Sequence, residues 1–220
     1  THEQVCSYNK DGFLLLKDIL PHSFLDDIRQ EAKGCFLRQL ANCGSPASEL
    51  SSEKDFERAL YRLFQEDYDA FIGAAKLCQH AISLFRLSAS EEMIGPLRGV
   101  GLEQPAICVK PIIYFNSRHL SKIEGHFKTP AHQDWRSMQG SLNSVVAWIP
   151  LIDINKELGA LEVLPGSHAK GLLPTKQDEW FRHVRSDCID ETRFVPLEVQ
   201  AGDLVVFSAF LVHRSGNNTT

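Results

Sequence analysis

His132-Gln133-Asp134 places an imidazole and a carboxylate two residues apart. On an extended strand residues i and i+2 project from one face, so both side chains can reach one cation. A third ligand is available in His213, which follows the apolar run 204–211 and lies far enough downstream for a barrel to bring it back by pairing distant strands. Two histidines and one carboxylate occupy one face of an octahedral metal and leave three positions open, the ligand set with which non-haem iron(II) centres activate O2. Zinc accepts the same three ligands, but zinc hydrolases more often place two of them on one helix. An isolated H-x-D is a short motif with many accidental matches, and the chain has nine histidines, so the surrounding segments have to decide.

Such ligands need strands to hold them. Strand candidates are 106–115, 131–135, 144–151, 161–164, 194–199 and 204–213, β-branched or apolar runs separated by Gly, Pro and Asn. Many short strands with turn residues between them read as a sandwich or barrel. Ahead of them the texture is helical. Over 21–40 the residues Phe24, Leu25, Ile28, Ala32, Phe36 and Leu40 recur at helical spacing, with Asp26 and Asp27 in the early turns, where the helix dipole favours them. A Gly-, Pro- and Ser-rich loop is expected over 42–52. The stretch 53–87 reads as one long helix or two abutting ones, interrupted near Gly73, and a short helical piece over 91–94 ends at Gly95-Pro96. The expectation is one domain over 1–220, with a mainly helical part over 1–100 and a β core over 101–220.

Composition narrows the partners. The chain has 220 residues, 43% hydrophobic and 23% charged, enough to bury one sizeable core. A net charge of -5 and a pI near 6.0 provide no field to attract phosphate backbones, which argues against nucleic acid. No stretch of 18 apolar residues and no leader pattern is visible, so membrane spanning and secretion are not indicated. Six scattered cysteines without a CxxC pair read as reduced thiols in a cytoplasm. A small molecule is the expected partner, and without a heptad or apolar stripe the oligomeric state stays open.

Beyond the H-x-D pair, Trp148-Ile149-Pro150-Leu151, then 159–168 (GALEVLPGSH), then Gly202-Asp203, then 213–220 (HRSGNNTT) follow in order. This set resembles the phytanoyl-CoA dioxygenase family of Fe(II)/2-oxoglutarate oxygenases, over roughly 112–220. The resemblance implies a double-stranded β-helix, the cupin-like jelly roll, mainly β with α. It also implies Fe(II), 2-oxoglutarate and O2 as cofactor and cosubstrates, and a dioxygenase reaction that hydroxylates a small organic molecule while releasing succinate and CO2. His132, Asp134 and His213 would then be the catalytic metal ligands.

Further roles follow from the resemblance. Gln133 matches a residue near the cosubstrate, and Trp148 matches a tryptophan beside it, although a tryptophan in an apolar strand is as often plain core. Ser215, two residues after His213 and on its face if the strand continues, could donate to the distal carboxylate of 2-oxoglutarate. Tyr114 is a second candidate for that region, and Trp135 a candidate for substrate contact. His168 reads as a turn residue after Leu-Pro-Gly-Ser and not as a ligand. The stretch 170–190, with Trp180 and Phe181, is either a lid or a solvated insert.

One departure stands out. The family supplies an Arg a few residues beyond the H-x-S-G segment, and the sequence ends at Thr220, so the core is expected to be incomplete at its C-terminus. Arg214 is a poor substitute, because adjacent strand residues face opposite ways, and Lys110 reads first as a solvated lysine. Asp134 argues against a halogenase, in which a small residue replaces the carboxylate. The alternative from another class is a jelly-roll protein that binds a metal or small ligand without catalysis.

Overall fold

The computed structural model describes residues 1–45, 52–120, 128–178 and 181–220. Helix α1 (His2–Asp11) opens with a capping box between Thr1 and Gln4 and closes on Gly12, whose left-handed φ of 83° suits glycine. Strand β1 (Phe13–Leu16) follows. Neither is legible in the sequence, since α1 has no buried face and FLLL does not alternate.

Helix α2 (His22–Asn42) answers the expectation over 21–40 and buries Leu25, Ile28, Cys35, Phe36 and Leu40. The stretch 53–87 is three helices, α3 (Glu53–Glu66), α4 (Tyr68–Cys78) and α5 (Ile82–Ser88). The break falls at Asp67 and not at Gly73, because the Asp67 carboxylate accepts from the Ala70 N–H and starts a new helix there. Gly73 sits in α4, where a glycine costs only about 1 kcal/mol. Helix α6 (Glu91–Gly99), capped by Ser90, runs through Pro96 instead of ending at it. Of the loop expected over 42–52, residues 46–51 lie outside the described residues.

The site-bearing part has a one-turn helix α7 (Trp135–Met138) and strands β2 (Val145–Trp148), β3 (Leu161–Val163), β4 (Thr175–Gln177), β5 (Arg182–Val184), β6 (Val195–Leu197), β7 (Leu204–Ser208) and β8 (His213–Ser215). Two antiparallel sheets, β1-β7-β2 and β6-β3-β8, face each other, and β4 pairs with β5 in a hairpin. By residue count helix exceeds strand, 43% against 16%. The strands gather in the site-bearing core and most of the helix in the N-terminal part, as expected of a jelly-roll core with a helical N-terminal part.

Register decides which side chains meet. Phe13 and Val146 lie opposite Phe207, and Leu15 and Trp148 lie opposite Val205, so these six share one face of the first sheet. They meet Leu161, Val163 and Leu197 of the second sheet in a single apolar cluster. Leu204 and Val206 point the other way, into a cluster with Leu25 and Ile28 of α2, Leu84 and Leu87 of α5 and Met93 of α6. Strand β7 is thus buried on both faces along its whole length. At about 1.5–3 kcal/mol for each large apolar side chain buried, it contributes on the order of 10 kcal/mol.

Three strand expectations change. Residues 106–115 form no strand: Pro105 and Pro111 lack the N–H that a ladder needs, and Ile107, Val109, Ile112 and Tyr114 are exposed. Of 131–135 only His132 makes a β-bridge, before the chain turns into α7. The run 204–213 is not one strand but two, β7 in the first sheet and β8 in the second, joined by a turn over 209–212. Within 170–190, the stretch read as a lid or a solvated insert, β4 and β5 form a hairpin, with Trp180 outside the described residues.

Candidate metal centre

The change of sheet after β7 creates the site. Residues 209–212 carry the chain across the end of the apolar interior, and β8 begins with His213 beside Val163, facing inward. The segment around His132 adds to the free edge of β8: the His132 N–H donates to the His213 carbonyl at 2.9 Å, and the His213 N–H returns the bond at 3.1 Å. Asp134 then leaves the extended path with helical dihedrals (φ -70°, ψ -21°) as α7 starts. That turn, and not strand pleat alone, swings its carboxylate back over the two rings.

One ligand atom from each of His132, Asp134 and His213 lies within 4.8 Å of the others. His132 Nε2 is 3.3 Å from Asp134 Oδ1, and His213 Nε2 is 3.4 Å from Asp134 Oδ2. The imidazole centroids are 4.1 Å apart. The opposite ring nitrogens are committed: His132 Nδ1 lies 2.8 Å from the Pro130 carbonyl and His213 Nδ1 3.1 Å from the Leu211 carbonyl. A carbonyl can only accept, so each Nδ1 carries a proton; a neutral ring then aims an Nε2 lone pair at the carboxylate, and a protonated one donates to it. Lone pairs facing carboxylate oxygens at these distances repel unless a cation lies among them.

Electrostatics divide the three unequally. Burial pulls the His132 pKa down, but the hydrogen bond and charge of Asp134 more than reverse this and leave it above its ordinary value. Burial would raise Asp134, yet the two histidines hold it below the usual carboxylate range. His213 is lowered to about 4 by burial and by the neighbouring His132, which the charge of Asp134 only partly offsets. A proton among these groups therefore belongs to the His132–Asp134 pair, while His213 stays a neutral donor. A divalent cation would satisfy all three at once, so the donor set fits a hard or borderline metal.

The other expected site residues fall into two groups. Trp148 lies on the inward face of β2, and Phe207 packs its ring 4.7 Å from that of His213. Ser215 faces inward two residues after His213, and its hydroxyl accepts from the Thr129 N–H at 3.3 Å, which leaves its proton free to donate. Tyr114 is 73% exposed, and desolvation of its hydroxyl and the charge of Asp134 hold its phenol above its ordinary pKa. Trp135 stacks on Phe210, centroids 5.3 Å apart, directly after Asp134.

Gln133 is different. Its side chain is buried, donates to the carbonyls of Gly171 (2.8 Å) and Phe210 (2.7 Å), and accepts from the Leu173 N–H (2.8 Å). The expectation that it contacts the cosubstrate does not match an amide already engaged by three backbone groups. Arg214 faces outward as expected, bonded to Glu162 at 2.5 Å and to Glu191 and lying over the Phe194 ring. His168 Nε2 lies 3.2 Å from the Asn9 carbonyl, and His168 is not among the three clustered ligands. Asp203, singled out in the sequence only as part of the Gly202-Asp203 segment, has a structural role: buried, it accepts from the Gln200 and Asp18 N–H groups and from Lys17, which locks β1 against β7.

Two antiparallel sheets close on an apolar interior, with two histidines and an aspartate gathered at one rim, and form the core of a double-stranded β-helix. The chain belongs to the phytanoyl-CoA dioxygenase (PhyH) family, whose sequence profile matches residues 8–220. It is 26% identical to human peroxisomal phytanoyl-CoA dioxygenase over all of this chain and 64% of that protein. It is 35% identical to the 1-deoxypentalenic acid 11-beta-hydroxylase of Streptomyces exfoliatus over 50% of this chain and 44% of that one. The chain thus spans less than two thirds of the length of these curated relatives. Among solved structures, the epimerase SnoN in complex with Fe3+, alpha ketoglutarate and nogalamycin RO shares the fold at a TM-score of 0.57 and 16% identity, covering 100% of this chain and 78% of that one. EvdO2 from Micromonospora carbonacea var. aurantiaca complexed with 2-oxoglutarate does so at 0.55 and 15%, covering 100% and 85%. Among the described residues no helix is long and apolar enough to cross a membrane.

Proposed function

We propose that the chain is an Fe(II)- and 2-oxoglutarate-dependent dioxygenase that hydroxylates a small organic molecule with release of succinate and CO2, and that His132, Asp134 and His213 are its metal ligands. One observation carries this reading: both histidines have Nδ1 tied to a carbonyl and Nε2 turned to one carboxylate, within 4.8 Å. Iron held there would supply O2 activation coupled to oxidative decarboxylation of 2-oxoglutarate.

The chain's own residues then have defined tasks. The Pro130 and Leu211 carbonyls fix the tautomer and tilt of the ligand rings. Ser215 donates its hydroxyl proton toward the cosubstrate carboxylate, and Trp148 with Phe207 walls that pocket against water. Tyr114, its phenol kept protonated, offers a second donor. The Trp135–Phe210 pair gives an apolar shelf beside Asp134 for the substrate. The Streptomyces hydroxylase relative supports hydroxylation as the outcome, and a carboxylate at position 134 speaks against halogenation.

Residues 1–220 are read as one domain, because β1 from the helix-rich half pairs with β7 of the other. Six free cysteines support a reducing, cytoplasmic compartment. The test is succinate formation from 2-oxoglutarate under O2 across a library of small organic acids, thioesters and glycosides. Substrate-stimulated succinate that disappears in Asp134→Ala is expected, and equal turnover in that variant would remove the assignment.

A further inference from the structure

Gln133 stands between two of the proposed metal ligands, and its side chain is bonded to backbone groups of two other segments. Gly171 and Leu173 begin the β4–β5 hairpin, and Phe210 lies in the turn that delivers His213. Its amide is used in full by groups that cannot rearrange singly: two carbonyls that need donors and one buried N–H that needs an acceptor. The hairpin is held to the same short segment at two further points. The Val184 N–H, at the far end of β5, donates to the Ala131 carbonyl at 2.7 Å, and Arg136 donates to the Leu173 carbonyl at 2.8 Å. Residues 131–136 therefore carry two ligands on one side and both ends of the hairpin on the other.

We propose that Gln133 is a positioning residue that clamps the His132–Asp134 segment, the turn before His213 and the paired strands β4 and β5 into one unit, so that metal binding and docking of these strands are coupled. This rests on the reading of His132, Asp134 and His213 as metal ligands. When the clamp holds, the separation between the two ligand segments is fixed before the metal arrives. When it opens, Phe210 and Gly171 lose their shared donor, and His213 is no longer held in register with Asp134 from that side. By linkage the effect runs both ways: a metal that binds the clamped arrangement better also disfavours opening of the hairpin, by the same factor.

The experiment uses Co(II) as the probe under anaerobic conditions. Its affinity is measured by calorimetry for the parent, Gln133→Met and Asp134→Ala, together with amide hydrogen exchange of the parent with and without Co(II). Gln133→Met keeps the volume and removes the amide. It is expected to stay folded by near-ultraviolet circular dichroism and to bind Co(II) on the order of 10- to 100-fold more weakly, as outer-shell losses do. In the parent, which needs no substitution to fold, Co(II) is expected to slow exchange at the Leu173 and Val184 amides. A merely structural role would lower the melting temperature of Gln133→Met but leave both readouts unmoved. Unchanged affinity in folded Gln133→Met, or unchanged exchange in the parent, overturns the clamp. A parent that binds no Co(II), with no difference from Asp134→Ala, overturns the metal reading itself.

Discussion

A carboxylate lies at each end of β7, Asp203 in the turn before it and Asp134 beside Ala209 just after it, and both have a pKa held below the usual range, by opposite means. At the start of the strand, Asp203 faces groups that can only donate: the Gln200 N–H at 2.8 Å, the Asp18 N–H at 3.0 Å and the Lys17 ammonium at 2.8 Å. These offset the burial that would raise it, and nothing is left for a ligand. Beyond the end of the strand, Asp134 faces two imidazole nitrogens whose neutral tautomer presents lone pairs. The first carboxylate is satisfied by the fold alone. The second is satisfied only when a proton or a metal joins it. A lowered carboxylate pKa is therefore not a functional sign in itself; the chemistry of the partners separates a structural lock from a binding site.

Substitution should split the two. Asp134→Ala is expected to weaken Co(II) or Fe(II) binding by more than about a hundredfold, since it removes a direct ligand where outer-shell losses alone reach that size, while urea unfolding shows no loss of stability. Asp203→Ala should do the reverse: it leaves two backbone N–H groups and a lysine without their acceptor, which costs about 2–4 kcal/mol in urea unfolding, with metal affinity of the folded protein kept. If Asp203→Ala also abolished metal binding at full folding, the contrast between the two carboxylates would break.

Phe207 joins the two regions, because it packs in the interior and touches His213. Phe207→Ala is expected to cost about 3–5 kcal/mol of stability and to lower metal affinity as well, so its effect should appear in both assays.

The acid limbs should differ too. The folded pKa of Asp203 is depressed, so its stabilisation is complete above the ordinary carboxylate range and is lost as pH falls through the lowered value; Asp203→Asn should flatten that limb of a stability profile. At the other end of β7, metal competes with a proton. His132 titrates above its ordinary value and His213 only at about 4. Metal affinity should accordingly fall as pH drops below the His132 pKa, with one proton taken up per metal released, and with a second only near pH 4. Two protons released together near neutrality would contradict that division.

The smallest expected effect belongs to Ser215→Ala. Loss of one hydroxyl donor should weaken 2-oxoglutarate by roughly tenfold, read by competition calorimetry, and leave metal affinity unchanged.

The residues with the most demanding chemistry were the most legible. His132, Asp134 and His213 stand out because few residue types bind metals, and β7 is legible as an apolar, β-branched run over 204–207, though not which of its faces points inward. The crossing between sheets was hidden because 209–212 (AFLV) is as apolar as the strand before it, so hydrophobicity does not mark the turn. The helix break was read at Gly73, although the event is a capping bond made by Asp67. Gln133 and Asp203 were invisible in role because their partners are distant in sequence: the hairpin for one, and β1 for the other. The strand expected over 106–115 failed on its prolines, whose missing N–H groups outweigh its apolar content.

The most direct test of the metal centre is anaerobic titration of the protein with Fe(II) and 2-oxoglutarate, watching for the visible charge-transfer band that appears when a 2-oxo acid chelates iron. A band in the parent and none in Asp134→Ala is the predicted result. No band in the parent, or an equal band in Asp134→Ala, would contradict the assignment of His132, Asp134 and His213 as the metal site.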